Sequence, residues 1–210
     1  CISICLAALL PGMAGAQAVA GNAYRQTNFV ANKPSFGAQR VDEKLINAWG
    51  IAIRPAGAGG HFWITGKDIS FEYVGDVQAS TDEKLRTLHT DALEYVKLPV
   101  GGDDKFATGV TFIDSKNNFI IAQQVKGAEP IVAPAKFIFS SDGGILSAWT
   151  ERKHAVGGGF DWPSEAITII DDSKSGSQYF GITTNSRYDR LYAVDFGRRP
   201  GIKVFGGDFR

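Results

Sequence analysis

One segment rich in acidic and hydroxyl side chains has the composition of a cation-binding loop. Asp171, Ser173 and Ser175 place oxygen atoms at alternate positions, and a glycine follows them, as at the start of an EF-hand calcium loop. The twelfth position of such a loop holds a bidentate glutamate, but here it is Ile182. The segment therefore predicts either a site for Ca²⁺ or another divalent metal, or a solvated turn without a ligand.

Two further residues are candidates for ligand binding. Trp162 follows three consecutive glycines and precedes Pro163, so it lies in a predicted loop, where its ring can bind a ligand or fill space under the loop. Asp195 ends a predicted strand. If the strands surround a central channel, its carboxylate can face that channel and join a metal or sugar site. Alternatively, it can close a turn by accepting backbone N–H groups.

Contiguous catalytic and phosphate-binding motifs are absent from the sequence. It contains no H-E-x-x-H, G-x-S-x-G, C-x-x-C or P-loop pattern. Active sites assembled from single residues of several repeats need no such motif. The absence favours a binding protein over an enzyme without excluding an enzyme, and no cofactor beyond a divalent metal is expected.

The charge balance argues against one class of partner. The chain has 22 Lys and Arg against 22 Asp and Glu, a formal net charge of +0, so it lacks the basic surface of a general nucleic-acid binder. The two cysteines, Cys1 and Cys5, both lie near the N-terminus. The remainder of the chain can therefore form neither a disulfide framework nor a thiolate zinc site.

The N-terminus has the pattern of a secretory signal peptide. Residues 2–10 form a short apolar run, and alanines alternate with other residues in the stretch 14–20 that follows. The run is shorter than the roughly 20 apolar residues that span a bilayer. Residues 1–20 are therefore predicted to be a signal peptide that lacks its start. The mature protein is expected to be periplasmic, extracellular or at the cell surface, without a transmembrane segment.

A repeat of short strands would position the candidate residues. Runs rich in Val, Ile, Phe, Tyr and Thr recur between clusters of Gly, Asp, Asn and Pro, which is typical of strands and turns. Gly50, Gly109 and Gly181 each follow a bulky or branched residue and precede a β-branched one. Further apolar strands follow each glycine, so these three positions are predicted to be equivalent in a repeat.

In the second repeat, the strands are predicted around Gly109 and at residues 119–122, 137–140 and 145–149, in that order. Another strand, at residues 166–170, either begins the third repeat or extends the second.

Four strands per repeat, with a glycine in the first, are typical of a β-propeller blade; the alternative is a β-sandwich with coincidental glycines. Residues 21–44 are predicted to be a lead-in with a candidate ring-closing strand at 27–30. The blades are predicted at residues 45–101, 102–163 and 164–210, the third incomplete. Because closed propellers need at least about four blades, the chain is expected to be an incomplete fragment of about three.

Several stretches resemble a family of exported bacterial proteins. They are YRQTNFV at 24–30, LINAWGIA at 45–52, DGGILSAW at 142–149, LYAVDF at 191–196 and KVF at 203–205. Members of that family are similar to NHL-type six-bladed β-propellers, and some carry a C-terminal PEP-CTERM sorting signal. The resemblance extends over most of the chain and implies an all-β propeller that is six-bladed when complete. It supplies no catalytic residue.

Export, the repeat and the missing motifs favour a non-catalytic propeller that binds a protein, a glycan or a small molecule outside the cytoplasm. One alternative is a metal-dependent hydrolase or lactonase, and another is a structural component of the cell surface or matrix. Three or more carboxylates and amides within about 5 Å at one end of the channel would favour the hydrolase, because they could share a cation.

Overall fold

The computed structural model describes residues 26–55, 61–75, 83, 86–90 and 92–210. The regular structure in this part of the chain consists of β-strands and short 3-10 turns, so the prediction of an all-β fold is confirmed. No helix among the described residues is long and apolar enough to span a bilayer. The predicted signal peptide at residues 1–20 lies outside the described ranges.

The strands are numbered in chain order. They are β1 Val30–Ala31, β2 Arg40–Val41, β3 Ala48–Ile53, β4 His61–Gly66, β5 Ile69–Val74, β6 Tyr95–Lys97, β7 Ala107–Phe112, β8 Ile120–Val125, β9 Ala128–Pro134, β10 Phe137–Ser141, β11 Ile145–Trp149, β12 Arg152–Lys153, β13 Phe160–Asp161, β14 Ile167–Asp171, β15 Tyr179–Thr184, β16 Arg190–Asp195 and β17 Gly201–Gly206. Among the described residues, 3-10 turns occupy Pro34–Phe36 and Ser173–Ser175.

Three antiparallel sheets follow one another along the chain. The first has the strand order β3-β4-β5-β6, the second β7-β10-β11-β14 and the third β15-β16-β17. Gly50, Gly109 and Gly181 lie in the first strands of these sheets, β3, β7 and β15. The repeated sequence pattern thus corresponds to a repeated sheet, and none of the three sheets closes on itself.

The strand order predicted for the second repeat is wrong. Residues 119–122 do not form its second strand, because β8 pairs with β9 across a two-residue turn at Lys126 and Gly127. Gly127 has a φ of 78°, a conformation that glycine adopts readily. The local hairpin therefore forms within the repeat, and β10 becomes the direct partner of β7.

The strand predicted at residues 166–170 belongs to the second sheet. It is β14, which pairs with β11, so this sheet extends to Asp171 and the boundary placed after residue 163 is too early. A second inserted hairpin, β12–β13, precedes β14. The two hairpins lengthen this repeat: Gly50 and Gly109 are 59 residues apart, but Gly109 and Gly181 are 72 residues apart.

The lead-in segment covers part of the first sheet. Its strand β1 pairs in parallel with β2, and the candidate ring-closing strand at 27–30 reaches only the start of β1. The Tyr73 hydroxyl donates to Asp42 Oδ2 at 2.9 Å, and burial followed by this bond raises the Tyr73 pKa above its ordinary value. Lys44 Nζ lies 4.3 Å above the Tyr95 ring centre. The strands β5 and β6 are covered in this way, whereas β3 is not.

An aromatic core joins the first sheet to the second. The Trp63 ring on β4 lies 4.1 Å from Phe137 and 4.9 Å from Trp149, measured between ring centres, and all three side chains are fully buried. Trp149 donates its indole N–H to the Pro163 carbonyl at 2.7 Å, so the buried donor has a partner, as buried polar groups require.

A second core joins the second sheet to the third. Its members from these two sheets are Ile138, Leu146, Ala148, Tyr179, Leu191 and Ala193. The second sheet is therefore covered on both faces, and every residue of β10 and β11 is buried. This explains why those strands read as continuous apolar and small residues rather than as an alternating pattern.

The first strands approach each other closely at the repeat glycines. A Cβ on Gly50 would lie 2.7 Å from the Thr108 carbonyl oxygen, and one on Gly109 would lie 2.8 Å from Ile182 Cγ2. A Cβ on Gly181 would meet only Val194 of its own sheet, at 3.5 Å. Glycine is thus required in the first strand of a sheet where the first strand of the next sheet packs against it.

Buried hydroxyl groups connect the same strands. Thr65 Oγ1 accepts the Gly50 N–H at 2.8 Å and donates to the Thr108 carbonyl at 3.0 Å. Thr108 Oγ1 in turn donates to the Tyr179 carbonyl at 2.6 Å. A chain of hydrogen bonds therefore runs from β3 through β7 to β15 and fixes the register of the three sheets.

We expect Gly50→Ala to lower the free energy of unfolding by about 1–3 kcal/mol, because the added methyl group must displace backbone atoms. Gly181→Ala is the matched control and should change it by no more than about 0.5 kcal/mol, since its methyl group meets only ordinary contacts. Urea unfolding followed by fluorescence measures both. Equal losses for the two variants would contradict the close-approach explanation.

Candidate functional site

A groove opens where the three first strands end. The strands β3, β7 and β15 lie side by side with β7 in the middle, and beyond their carboxyl ends lies a groove of about 450 Å³, here called the axial groove. Its lining includes Ile51 and Ile53 of β3, Thr111 and Phe112 of β7, Thr183 and Thr184 of β15, and Ser186 and Tyr188 of the following turn. All three sheets contribute to it.

The lining of the axial groove combines apolar and uncharged polar groups. Thr111, Thr183 and Thr184 bring hydroxyls, which both donate and accept hydrogen bonds, while isoleucine and phenylalanine side chains supply apolar surface. No acidic, basic or histidine side chain is among the residues that line it. This composition suits an uncharged ligand that has both an apolar face and hydrogen-bonding groups.

The rim of the groove is a fixed turn. The Asn185 side-chain oxygen accepts the N–H groups of Asp189 at 3.1 Å and Arg190 at 3.3 Å. Tyr188 has a φ of 52°, and its carbonyl accepts a hydrogen bond from the Asn118 amide at 3.0 Å. These contacts hold Tyr188 at the groove, so this side of the site is organised before any ligand binds.

Aromatic side chains contact one another near the opposite end of the first strands. Trp49 and Phe180 directly precede the repeat glycines, and their ring centres lie 5.6 Å apart, edge to face. Phe196 extends the row, 5.8 Å from Phe180. The equivalent residue of the middle sheet is the smaller, buried Thr108, which leaves room for the rings to meet. This contact joins β3 to β15 near the starts of the two strands.

The predicted metal-binding segment forms a self-contained turn. Asp171 Oδ1 accepts the Ser173 N–H at 3.0 Å and the Ser173 hydroxyl at 2.5 Å, and these bonds lower the pKa of Asp171. Ser175 donates instead to the Asp172 carbonyl at 2.8 Å. The three predicted ligands thus do not converge, and no group of three or more His, Cys, Asp or Glu residues among those described could hold a metal.

A lysine at the edge of the third sheet gathers polar side chains from that segment. Lys203 Nζ donates to Asp172 Oδ2 at 2.9 Å, to Ser177 Oγ at 2.9 Å and to the Tyr179 hydroxyl at 3.1 Å. Burial alone would lower the Lys203 pKa, but the bonds to Asp172 and Tyr179 raise it above its ordinary value. Burial and the Asp172 bond raise the Tyr179 pKa to about 12. This lysine cluster ties β17 to the connection between the second and third sheets.

Asp195, a predicted ligand-binding residue, completes the lysine cluster from within the sheet. It is only 2% exposed, and its Oδ1 accepts the N–H groups of Gln178 at 2.9 Å and Gly197 at 2.8 Å. Its Oδ2 lies 3.4 Å from Lys203 Nζ. Burial acts to raise the Asp195 pKa, but these backbone and side-chain donors lower it below the ordinary value. The structure therefore places Asp195 in the turn-closing role.

Trp162, the other predicted ligand-binding residue, lies beneath the β12–β13 hairpin. Its indole N–H donates to Glu151 Oε2 at 3.1 Å, and its ring stacks on Phe160 with 5.5 Å between ring centres. Glu151 also forms an ion pair with Arg54 of the first sheet. Trp162 packs against the first core, so it links the hairpin to the sheets.

The residues of the axial groove are absent from the sequence-based site predictions. Thr111 and Thr183 follow their repeat glycines by two residues, and Ile53 follows its glycine by three. The repeat could therefore identify them, if the residues that follow each glycine are compared between repeats up to the carboxyl end of the strand. Uncharged side chains such as these match no catalytic motif.

We expect Asp195→Asn to destabilise the protein by about 1–3 kcal/mol near neutral pH, because it removes the buried charge that Lys203 faces. Since the folded-state pKa of Asp195 lies below the ordinary 3.8, its contribution is complete well above that pH and is lost as the pH falls through the lowered value. The difference from the parent protein should therefore shrink in acid.

Urea unfolding at several pH values from neutral to acidic measures this effect. Asp114→Asn, at an exposed position, is the control and should leave stability nearly unchanged. In a Lys203→Met background, the effect of Asp195→Asn should be smaller, because the two residues interact. A loss that is constant with pH would show that the Asp195 charge contributes nothing.

Comparison of the chain with protein-family models, with curated protein sequences and with solved structures gives no match. The function is therefore inferred from the geometry of the axial groove and from the arrangement of the sheets.

Proposed function

We propose that the chain is an exported β-propeller domain of the NHL-like type, and that it serves as a non-catalytic binding scaffold. The arrangement of consecutive antiparallel sheets with their first strands side by side supports this, because propeller blades are arranged in that way around an axis. Export is supported by the apolar run and the small residues at positions 2–20.

The axial groove is the proposed binding site. The observation that carries this proposal is that residues from all three first strands line one groove of about 450 Å³, within the range of roughly 300–1,000 Å³ common for ligand pockets. Hydroxyl groups of Thr111, Thr183 and Thr184 lie beside aliphatic side chains there. A small, uncharged molecule that carries hydroxyl or amide groups fits this chemistry.

The groove favours binding over metal-dependent hydrolysis. A hydrolase of that kind needs oxygen or nitrogen ligands for its metal and a group that activates water. The residues that line the groove offer hydroxyls and one amide but no carboxylate and no imidazole. The lining can therefore orient a ligand, but it presents no general base.

A library of small neutral molecules, with charged analogues as a second set, tests the proposal by ligand-observed NMR. We expect saturable binding of members of the neutral set, and Ser186→Trp should weaken it by about tenfold or more, because the indole would obstruct the rim. Gln124→Trp, at an exposed position on the separate β8–β9 hairpin, is the control and should bind like the parent. Addition of EDTA should have no effect.

Two results would contradict the proposal. The first is binding that Ser186→Trp leaves unchanged, which would place the ligand elsewhere. The second is binding or ester hydrolysis that EDTA abolishes, which would favour the metal-dependent enzyme.

A further inference from the structure

A second pocket lies at the junction of the first and second sheets. It has a volume of about 480 Å³ and is here called the basic pocket. The charged residues that line it are Lys67, Lys97 and Lys105, with Asp68 and Asp103. They come from the β4–β5 turn, the end of β6 and the loop that leads to β7. The basic pocket shares no lining residue with the axial groove, so the two are separate sites.

Backbone hydrogen bonds hold the segments that carry two of these lysines. The Lys67 carbonyl accepts the N–H of Ala107, the first residue of β7, at 2.5 Å. Lys97 donates its N–H to the Ser164 carbonyl at 2.8 Å. Each contact joins a segment of the first sheet to a segment of the second repeat. The lining of the basic pocket is therefore organised before any ligand binds, which lowers the entropic cost of binding.

The lysines of the basic pocket are not neutralised by close ion pairs. Within the described part of the chain, neither Lys67 nor Lys97 forms an ion pair. Lys105 Nζ lies 3.5 Å from Asp104 Oδ2, but the Asp104 side chain is 83% exposed, and an ion pair so open to solvent contributes little. All three ammonium groups can therefore interact with a negatively charged ligand.

The glycine loop beside the lysines offers further donors. Gly101 has a φ of 93°, and a Cβ there would lie 2.8 Å from the Gly143 carbonyl oxygen, so the loop backbone packs directly on the adjacent turn. Among the described residues, no acceptor pairs with the N–H of Gly101 or of Gly102. Free backbone N–H groups near ammonium groups are suited to hold an oxyanion.

The two aspartates limit the charge of the ligand. With three lysines and two aspartates, the charged lining has a formal net charge of +1. One negative charge balances it, whereas a ligand with several charges would be repelled by Asp68 and Asp103. Ionised carboxylates only accept hydrogen bonds, so these two residues are suited to bind hydroxyl groups of the ligand.

We propose that the basic pocket binds a hydroxylated monoanion of the sugar-acid class. The ligand's carboxylate interacts with Lys67, Lys97 and the N–H groups of the glycine loop, while its hydroxyls donate to Asp68 and Asp103. The pocket volume of about 480 Å³ lies within the range of roughly 300–1,000 Å³ common for small-molecule sites. This site is additional to the axial groove, which is proposed to take an uncharged ligand.

Titration of the full 210-residue chain with galacturonate and with galactose tests the proposal by NMR. The two sugars differ in the carboxylate, and the amide signals of Gly101 and Gly102 report on the basic pocket. We expect saturable shifts of these signals with galacturonate. Galactose should give a dissociation constant at least about tenfold higher at the same signals, because it lacks the charge that the lysines bind. Inorganic sulfate, an oxyanion without a sugar ring, should also bind at least about tenfold more weakly.

Lys67→Met with Lys97→Met should weaken galacturonate binding by about tenfold or more. Lys116→Met with Lys126→Met is the matched control, since it removes the same charge at exposed positions outside the basic pocket. The control should bind like the parent chain. Ser186→Trp, which obstructs the axial groove, should also leave galacturonate binding unchanged. Each variant should keep the parent's circular dichroism spectrum.

Four results would overturn the proposal. Galacturonate that does not shift the Gly101 and Gly102 signals would show that the basic pocket does not bind this class of ligand. Equal affinity for galactose would show that the lysines do not recognise the carboxylate, and equal affinity for sulfate would show that hydroxyl contacts contribute nothing. An equal loss in the control would indicate general attraction to a positively charged surface.

Discussion

The close approach of backbone strands at Gly50 and Gly109 is the constraint on which the remainder of the structure depends. A side chain at either position would collide with the next first strand or with a residue that packs against it, and the aromatic core between the first two sheets could then not close. Buried hydroxyls complete the contact, because Thr65 and Ser140 each accept the N–H of their own sheet's glycine. The close approach at the two glycines and the hydrogen bonds of their N–H groups thus favour the same register of the first strands.

This constraint also explains where the chain tolerates additions. Both inserted hairpins, β8–β9 and β12–β13, form separate two-stranded sheets between strands of the second sheet and leave the first strands undisturbed. The β8–β9 hairpin is held from the side, where Gln123 accepts the Thr150 N–H at 2.8 Å and donates to the Glu165 carbonyl at 2.6 Å. The ion pair between Glu151, which directly precedes β12, and Arg54, which directly follows β3, connects the second hairpin to the first sheet. The additional length of the second repeat is therefore inserted between the strands of its sheet and not within its first strand.

The repeat could be predicted from the sequence because it depends on local chemistry. Glycine after a bulky or branched residue, followed by a β-branched one, is visible without knowledge of any partner strand, and the strand class follows from composition. The order of strands in the second sheet could not be predicted in this way. It depends on the competition between the Lys126-Gly127 turn and more distant pairing, and the strand β9, with prolines at 130 and 134, has an unfavourable composition for a strand.

The candidate site was less accessible to sequence reasoning. The composition of single segments favours Asp171, Asp195 and Trp162 as ligand-binding residues, but in the structure each of them forms hydrogen bonds within the protein. Lys203 lies eight residues after Asp195 and 31 after Asp172, and only the fold brings the three together. Uncharged groove residues such as Thr111 become candidates once their strands are known to end at the same place.

The burial of the second sheet between its neighbours implies that local stability varies along the chain. Amide protons of β10 and β11 are shielded on both faces and by strands on either side, so their exchange with solvent requires the most extensive opening. The strands β3 and β17 each have an exposed face and can separate at lower cost. Amide protons of the second sheet should therefore exchange slowly, and those of the first and third sheets should exchange faster. The rate should change across the two hydrophobic cores that join the sheets.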